Sequence, residues 1–257
     1  MTPAPLLTGL EGKNALVTGG SRGIGAATVR LLAACGTNVA IGYRTRSAEA
    51  ESVAAQARAS GVSAFAFATD ISTIGGAESL VSNATGKLGG LDIFIGNAGV
   101  WPAQDVAVGS MEPAQWASTM RENLDSIFYT TRAVAGSISD DGRIVLISST
   151  AGQRGEAFHA DYAATKGAVI SYTKSLAIEL APRGITVNSV APGWVDTEMV
   201  ADAIADTGAK RIASGIPIGR IASADDIAGP IVFLCSTFAR HLTGEILNVN
   251  GGSVLCG

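Results

Sequence analysis

The chain has 257 residues, carries a net charge of −4 at neutral pH and is 47% hydrophobic, with 32 glycines and few aromatic residues. This acidic balance, with no basic stripe, argues against nucleic acid and anionic membranes as partners. No apolar stretch approaches the ~20 residues that cross a bilayer. The first residues also lack the features of a signal peptide. These observations predict a soluble, cytoplasmic protein with one large core of small aliphatic side chains.

Short β-branched runs alternate along the chain with longer segments of helical spacing. Seven runs are predicted strands: 14–18, 38–43, 63–69, 91–96, 143–148, 185–191 and 245–250. Helical periodicity is found between them, at 24–35, 48–59, 76–88, 113–137 and 161–182. Several of the strands are continuous apolar runs, as expected when both faces of a parallel sheet are covered. The pattern predicts an α/β fold, a doubly wound sheet in a single domain spanning residues 1–257.

A glycine-rich turn, TGGSRGIG, follows the first predicted strand, with Gly19, Gly23 and Gly25 leading into a predicted helix. Glycine lets the backbone approach a diphosphate, whose charge the amides at a helix N-terminus stabilise. No Gly-Lys-Ser/Thr ending follows, which argues against a nucleoside-triphosphate loop. The sequence therefore predicts a dinucleotide site, with a structural turn that binds no ligand as the alternative.

The end of the second predicted strand indicates which dinucleotide is bound. An acidic residue there would bind the adenosine ribose of NAD. The chain has Tyr43 at that place, followed by Arg44 and Arg46, and Arg22 lies inside the glycine turn. Guanidinium groups with no carboxylate nearby favour the 2′-phosphate of NADP(H). NADP(H) is thus predicted in preference to NAD(H), although Arg46 is also compatible with a solvated surface position.

Tyr162 and Lys166 are one helical turn apart in the predicted helix 161–182. Side chains at this spacing share a face, with about 5–6 Å between their Cβ atoms. Lowering the tyrosine pKa from near 10 to about 7 requires roughly 4 kcal/mol of preferential phenolate stabilisation. The lysine ammonium and the positive nicotinamide of an oxidised cofactor are the expected sources. The pair predicts a tyrosine that exchanges a proton near neutral pH. His159, three positions before Tyr162, is expected to be a partly exposed surface residue, with a place in the pocket lining as the alternative.

Residues 193–220 interrupt the alternation of strands and helices. They contain small residues and few core positions, and they follow the carboxyl end of a strand. Such an excursion favours a mobile lid over a site, with ordinary surface helices as the alternative. Trp101, Trp194 and Met199 either shape a pocket or serve ordinary packing.

Residue types that bind metals are sparse. Cys35, Cys235 and Cys256 form no paired motif, and the chain has 2 histidines. This distribution predicts free thiols in a reducing compartment and no metal site.

The motifs TGGSRGIG, NAG at 97–99, Ser149, YAATK and APG occur in this order over essentially the whole chain. Together they resemble the short-chain dehydrogenase/reductase family. The resemblance implies a single Rossmann-type domain around a seven-stranded parallel sheet with helices on both faces, and a homotetramer as the usual assembly.

The resemblance also implies roles for individual residues. Ser149 would donate a hydrogen bond to the substrate oxygen, with Ser148 as the alternative serine. Tyr162 would exchange the proton, Lys166 would hold the nicotinamide ribose, and Asn123 would hold a relay water. Cofactor contacts are implied for Tyr162 and Lys166 and for Gly19, Ser21, Arg22, Gly23, Ile24, Gly25, Tyr43, Arg44, Asp70, Ile71, Asn97, Ala98, Gly99, Pro192, Gly193, Val195 and Thr197.

Within the family, RGITVNSVAPG and LTGEILNVNGG resemble the 3-oxoacyl-[acyl carrier protein] reductases of fatty acid biosynthesis, which reduce a β-keto thioester with NADPH. Their carrier protein is acidic, so Arg183 fits a cation near the entrance of the site, whereas Asp140 and Asp141 would oppose the carrier. Two alternatives remain: a reductase or dehydrogenase of a free ketone, alcohol or sugar, and an NADP(H)-sensing regulator without turnover.

Overall fold

The computed structural model describes residues 8–205 and 208–256. Its strands are β1 (Asn14–Thr18), β2 (Asn38–Tyr43), β3 (Ala64–Ala68), β4 (Ile93–Gly96), β5 (Arg143–Ile147), β6 (Thr186–Pro192) and β7 (Ile246–Val249). Its helices are α1 (Gly23–Ala34), α2 (Ser47–Ala59), α3 (Ile74–Leu88), α4 (Pro113–Met120), α5 (Ser126–Ala135), α6 (Thr150–Arg154), α7 (Ala160–Leu180), α8 (Ala201–Ile204), α9 (Gly208–Ser214) and α10 (Ala224–Cys235). The outer parts of the predicted domain, 1–7 and 257, lie outside the described residues, as do positions 206 and 207 of the predicted lid.

All seven strands are parallel and follow the order β3-β2-β1-β4-β5-β6-β7. The sheet therefore grows in one direction from β1 to β3 and in the other from β4 to β7. This arrangement confirms the predicted doubly wound α/β fold. Each predicted strand overlaps an observed one, with ends that differ by at most two residues.

The sheet is covered on both faces because its strands are apolar on both sides. In β1, Ala15 and Val17 join a core layer that packs under α1, α2 and α10. Leu16, between them, points into the opposite layer, under α3, α5 and α7. This burial of alternate residues on opposite faces fixes the strand register and holds the carboxyl ends of the strands at one edge.

The predicted helix 113–137 is wrong in one respect, because the structure divides it. A π-helical turn, Arg121–Asp125, separates α4 from α5. Helices α6 and α10 were not predicted. Within the described ranges, no helix combines the length and the apolar character needed to span a membrane.

Candidate active site

A cavity of about 300 Å³ opens at the carboxyl ends of the strands, where the strand order reverses between β1 and β4. Ligands of open parallel sheets bind at this kind of position. All the predicted site residues line the cavity except Gly25 and Asn123. Trp101, Trp194 and Met199 also line it, which supports the first of the two interpretations of these residues.

The glycine turn between β1 and α1 is packed backbone against backbone. Gly19 and Gly23 have φ of +64° and +52°, which favour glycine. A Cβ on Gly25 would lie 2.3 Å from the carbonyl oxygen of Gly19, so Gly25 acts by letting α1 approach the turn. The Asn97 amide donates to the carbonyl oxygens of Thr18 and Gly19 at 3.0 and 3.2 Å. The turn thus presents bare backbone and a helix N-terminus to the cavity, an arrangement that fits a diphosphate.

The arginines after β2 do have carboxylates beside them, contrary to the sequence prediction. Arg44 forms an ion pair with Glu122, and Arg46 pairs with Glu49 at 3.0 Å. The prediction missed Glu122 because it lies far along the chain, in the π-helical turn, and is brought to β2 only by the fold. It overlooked Glu49, which is three residues after Arg46. Arg44 and Arg46 still line the cavity, and Tyr43 still stands where an acid would accept from a ribose.

Asp70, after β3, lines the same end of the cavity. Its carboxylate accepts hydrogen bonds from the Ser72 hydroxyl at 2.7 Å and the Ser72 backbone N–H at 3.0 Å. These hydrogen bonds lower the pKa of Asp70. The aspartate therefore stays ionised and fixed in orientation at neutral pH.

Lys166 is buried on α7, and its Nζ donates to the Ile147 carbonyl oxygen at 2.8 Å. The same Nζ lies 5.7 Å from the centre of the Tyr162 ring, so the two side chains face each other as predicted. Burial lowers the pKa of Lys166 to about 8. The lysine therefore carries a proton that it releases more easily than an exposed lysine does.

Burial raises the pKa of Tyr162 to about 12, while its hydrogen bond with Ser149 acts in the opposite direction. The protein's own groups therefore shift this pKa upward, and the lowering toward 7, which also counts on the positive nicotinamide of the oxidised cofactor, stays a prediction. The physical reason for the upward shift is that desolvation of the phenolate dominates, and the Lys166 ammonium is bound to a backbone carbonyl rather than to the phenol oxygen.

Two adjacent serines at the end of β5 have different surroundings. Ser148 is buried and donates to the Lys166 carbonyl oxygen at 2.7 Å, which ties β5 to α7. Ser149 caps α6 by accepting from the Ala151 N–H at 3.1 Å, and it is the serine that contacts Tyr162. The geometry thus favours Ser149 over Ser148 as the serine that faces a substrate.

Asn123 is buried outside the cavity lining, in the π-helical turn. Its side-chain oxygen accepts from the Val100 N–H at 2.7 Å, and its amide donates to the Val100 carbonyl oxygen at 2.8 Å. These contacts hold the segment after β4 against the helix. The implied water-relay role of Asn123 stays a prediction.

One end of the cavity is aromatic. Trp101 lies edge-on to Trp194, with ring centres 5.9 Å apart, and stacks on His159 at 4.8 Å. His159 is only 4% exposed, so the prediction of a surface histidine was wrong, because the Trp101 ring covers it. Glu156 lines this end, and burial raises the pKa of its carboxyl group.

Comparisons with known proteins agree with this architecture. A family model described as enoyl-(acyl carrier protein) reductase matches residues 19–253. The 3-oxoacyl-[acyl-carrier-protein] reductase of Salmonella typhimurium is 40% identical over 244 residues, which cover 94% of this chain and 97% of that protein. A short-chain dehydrogenase/reductase from Serratia marcescens is 36% identical, covers 95% of this chain and 98% of its own, and superposes with a TM-score of 0.90.

The chain belongs to the short-chain dehydrogenase/reductase family. A further solved structure, a short-chain dehydrogenase from Burkholderia cenocepacia in complex with NADP, is 36% identical with a TM-score of 0.87, over 95% of this chain and 98% of that one.

Two expectations that concerned a carrier protein are corrected by the fold of this family member. Arg183 pairs with Asp140 at 2.8 Å and donates to the carbonyl oxygens of Ala135 and Ile138. Asp140 and Asp141 precede β5, at the amino edge of the sheet, whereas the cavity opens at the carboxyl edge. These charged residues therefore lie at the edge of the sheet opposite the cavity entrance, and none of them lines the cavity.

Sequence reasoning also missed residues that line the cavity in this short-chain dehydrogenase/reductase. Glu122, Arg154 and Glu156 were not singled out, because no short motif marks them. The position of Glu122 next to Asn123 was the one available signal.

Proposed function

We propose that the chain is an NADPH-dependent reductase that converts a 3-oxoacyl thioester into the 3-hydroxyacyl thioester. The observation that carries the proposal is the convergence of Ser149, Tyr162 and Lys166 on a cavity whose other end is the glycine turn with its arginines. Similarity to a 3-oxoacyl-[acyl-carrier-protein] reductase over 94% of the chain supports the thioester and the link to fatty acid biosynthesis.

NADP(H) is favoured over NAD(H) by Arg22, Arg44 and Arg46, which line the cavity, and by Tyr43 in the place of a ribose-binding acid. The complex of the Burkholderia cenocepacia relative with NADP supports the same choice. When bound, this cofactor supplies the hydride. The contacts implied for Asp70 and Ile71, for Asn97 to Gly99 and for Pro192, Gly193, Val195 and Thr197 are part of the proposal, supported by their place in the lining.

Tyr162 holds the proton that the substrate oxygen receives. With its pKa raised to about 12, the phenol is fully protonated near neutral pH, which is the form that reduction requires. The Ser149 oxygen accepts from Ala151, and its own proton interacts with Tyr162. We propose that this proton turns to the substrate oxygen when substrate binds. That hydrogen bond stabilises the developing negative charge. The Lys166 ammonium, 5.7 Å from the ring, stabilises the phenolate that remains.

The segment 193–220 is proposed to act as a lid. Its two ends are fixed, by a bridge between Val195 and Ala222 and by a hydrogen bond from Ile218 to Gly251 at 3.1 Å. Between them, α8 and α9 contribute no buried residue among the described positions. Few buried contacts make local opening inexpensive in free energy.

A homotetramer and a cytoplasmic location stay predictions. An exposed apolar face supports self-association: Phe128 on α5 is 47% exposed and Ile178 on α7 is 76% exposed. The Phe128 ring lies 5.6 Å from that of Tyr129 and 6.5 Å from that of Tyr172. An exposed phenylalanine beside two half-buried tyrosines is typical of an interaction surface.

The test is NADPH oxidation by the purified protein with an acetoacetyl thioester, compared with a crotonyl thioester and a panel of free ketones, sugars and diols. The proposal expects the highest kcat/KM on the acetoacetyl thioester and little turnover with NADH. A rate only on free ketones or sugars would assign the alternative reductase. Binding of NADPH without turnover of any substrate would favour a regulator.

A further inference from the structure

The ion pair between Arg44 and Glu122 joins two elements of the cavity wall. Arg44 follows β2, and Glu122 lies in the π-helical turn between α4 and α5. Both side chains line the cavity, and they are 49% and 20% exposed. The Glu122 carboxylate is therefore bound to the Arg44 guanidinium, the group that the sequence predicts to bind a phosphate.

Two other charged side chains near this ion pair have partners of their own. The Asp70 carboxylate is attracted electrostatically by Arg44 and Arg121, but its hydrogen bond is with Ser72. Arg46 has its own partner, Glu49, on the first turn of α2. Among the charged residues described at this end of the cavity, Glu122 is the carboxylate in direct contact with Arg44.

We propose that Glu122 is a built-in counter-ion that the 2′-phosphate of NADP(H) displaces from Arg44, and that this exchange limits the preference for NADP(H) over NAD(H). The inference rests on the proposed function, in which Arg44 binds that phosphate. Displacement is favourable because a phosphate carries more charge than a carboxylate and offers three oxygens to the planar guanidinium. Each binding event then loses the Arg44–Glu122 contact.

The loss is small because the Arg44 side of the pair is open to solvent. Ion pairs at such positions contribute about 0.2–1 kcal/mol, which corresponds to a factor of roughly 1.4 to 5 in a binding constant. Glu122→Gln keeps the shape of the side chain and removes its charge. It is expected to tighten binding of adenosine 2′,5′-bisphosphate by about 1.4- to fivefold and to leave 5′-AMP binding unchanged.

Isothermal titration calorimetry with these two nucleotides measures the effect without any turnover. Glu78→Gln is the control, since Glu78 forms an ion pair with Arg132 away from the cavity. That pair is more exposed, with 54% for the Glu78 side chain against 20% for that of Glu122. The control should change neither dissociation constant. Arg44→Gln should weaken binding of the bisphosphate. Adding Glu122→Gln to Arg44→Gln should not increase the affinity for the bisphosphate.

Weaker binding of the bisphosphate to Glu122→Gln would overturn the inference, because the glutamate would then orient Arg44 for the phosphate. A gain that persists without Arg44 would also overturn it, by showing direct repulsion. Equal affinity of the wild-type protein for both nucleotides would instead overturn the proposed cofactor choice, and this inference with it.

Discussion

The two ends of the cavity differ in how far their ionisable side chains are exposed to solvent. At the nucleotide end, Arg44 and Arg46 are exposed and paired, and the glycine turn offers backbone rather than side chains. At the catalytic end, Lys166 is buried and Tyr162 is largely desolvated, and burial shifts the pKa values of both. Removing one partner of an exposed ion pair changes a free energy of binding or folding by little, whereas removing a buried ionisable group changes it several times more. Substitutions should therefore separate the two ends by the size of their effects.

The largest effect is expected from Tyr162→Phe, which removes the proposed proton donor. General acid catalysis by a positioned side chain contributes about 10²- to 10⁴-fold, so kcat should fall by that factor. Binding of adenosine 2′,5′-bisphosphate should remain unchanged, because the phenol lies at the other end. Steady-state kinetics and calorimetry check both statements. Retained turnover would remove Tyr162 from the mechanism.

Lys166 should make the free energy of unfolding depend on pH in the alkaline range. Its pKa is lowered from 10.5 to about 8, so the unfolded chain holds this proton more tightly than the folded protein does. Between pH 8 and 10 the unfolded chain therefore binds more protons, and the free energy of unfolding rises with pH by about 2 kcal/mol. Lys166→Met, compared with the wild-type protein by urea unfolding over this range, should lack that rise. A constant difference between the two proteins would show that Lys166 titrates normally.

Two glycine substitutions, one at each end of the cavity, should change different kinetic constants. A Cβ at Gly152 would lie 2.4 Å from the Lys166 carbonyl carbon, and one at Gly25 would lie 2.3 Å from the Gly19 oxygen. Each clash with backbone should cost about 1–3 kcal/mol of stability. Gly152→Ala should lower mainly kcat, and Gly25→Ala mainly the affinity for NADPH.

Gly86→Ala is the matched control for both variants, because Gly86 lies on α3 with no atom within 4 Å of the added Cβ. It should slightly stabilise the protein, since alanine favours a helix. Identical kinetic changes in Gly152→Ala and Gly25→Ala would mean that the two ends do not act separately.

The sequence predicted the elements whose cause is local. Continuous apolar runs located the strands, and Gly19, Tyr162 and Lys166 are recognisable because each stands in a short motif with a fixed place on a strand end or helix face. Contacts between distant segments were not predictable. The Arg44–Glu122 pair, and the cover that Trp101 gives to His159, depend on how loops meet at the sheet edge. The desolvation that raises the pKa of Tyr162 was not predictable for a related reason, since desolvation is a property of the assembled core.

The widened turn at Arg121–Asp125 has a consequence for the whole helical segment. One inserted residue rotates everything after it by about 100° about the helix axis relative to everything before it. That rotation lets Ile127 and Val134 face the core, while Glu122 and Asn123, immediate neighbours, serve the nucleotide wall and the segment after β4. Removing a single residue here would bring the segment back to an ordinary helical phase, and one of these three attachments would lose its partner.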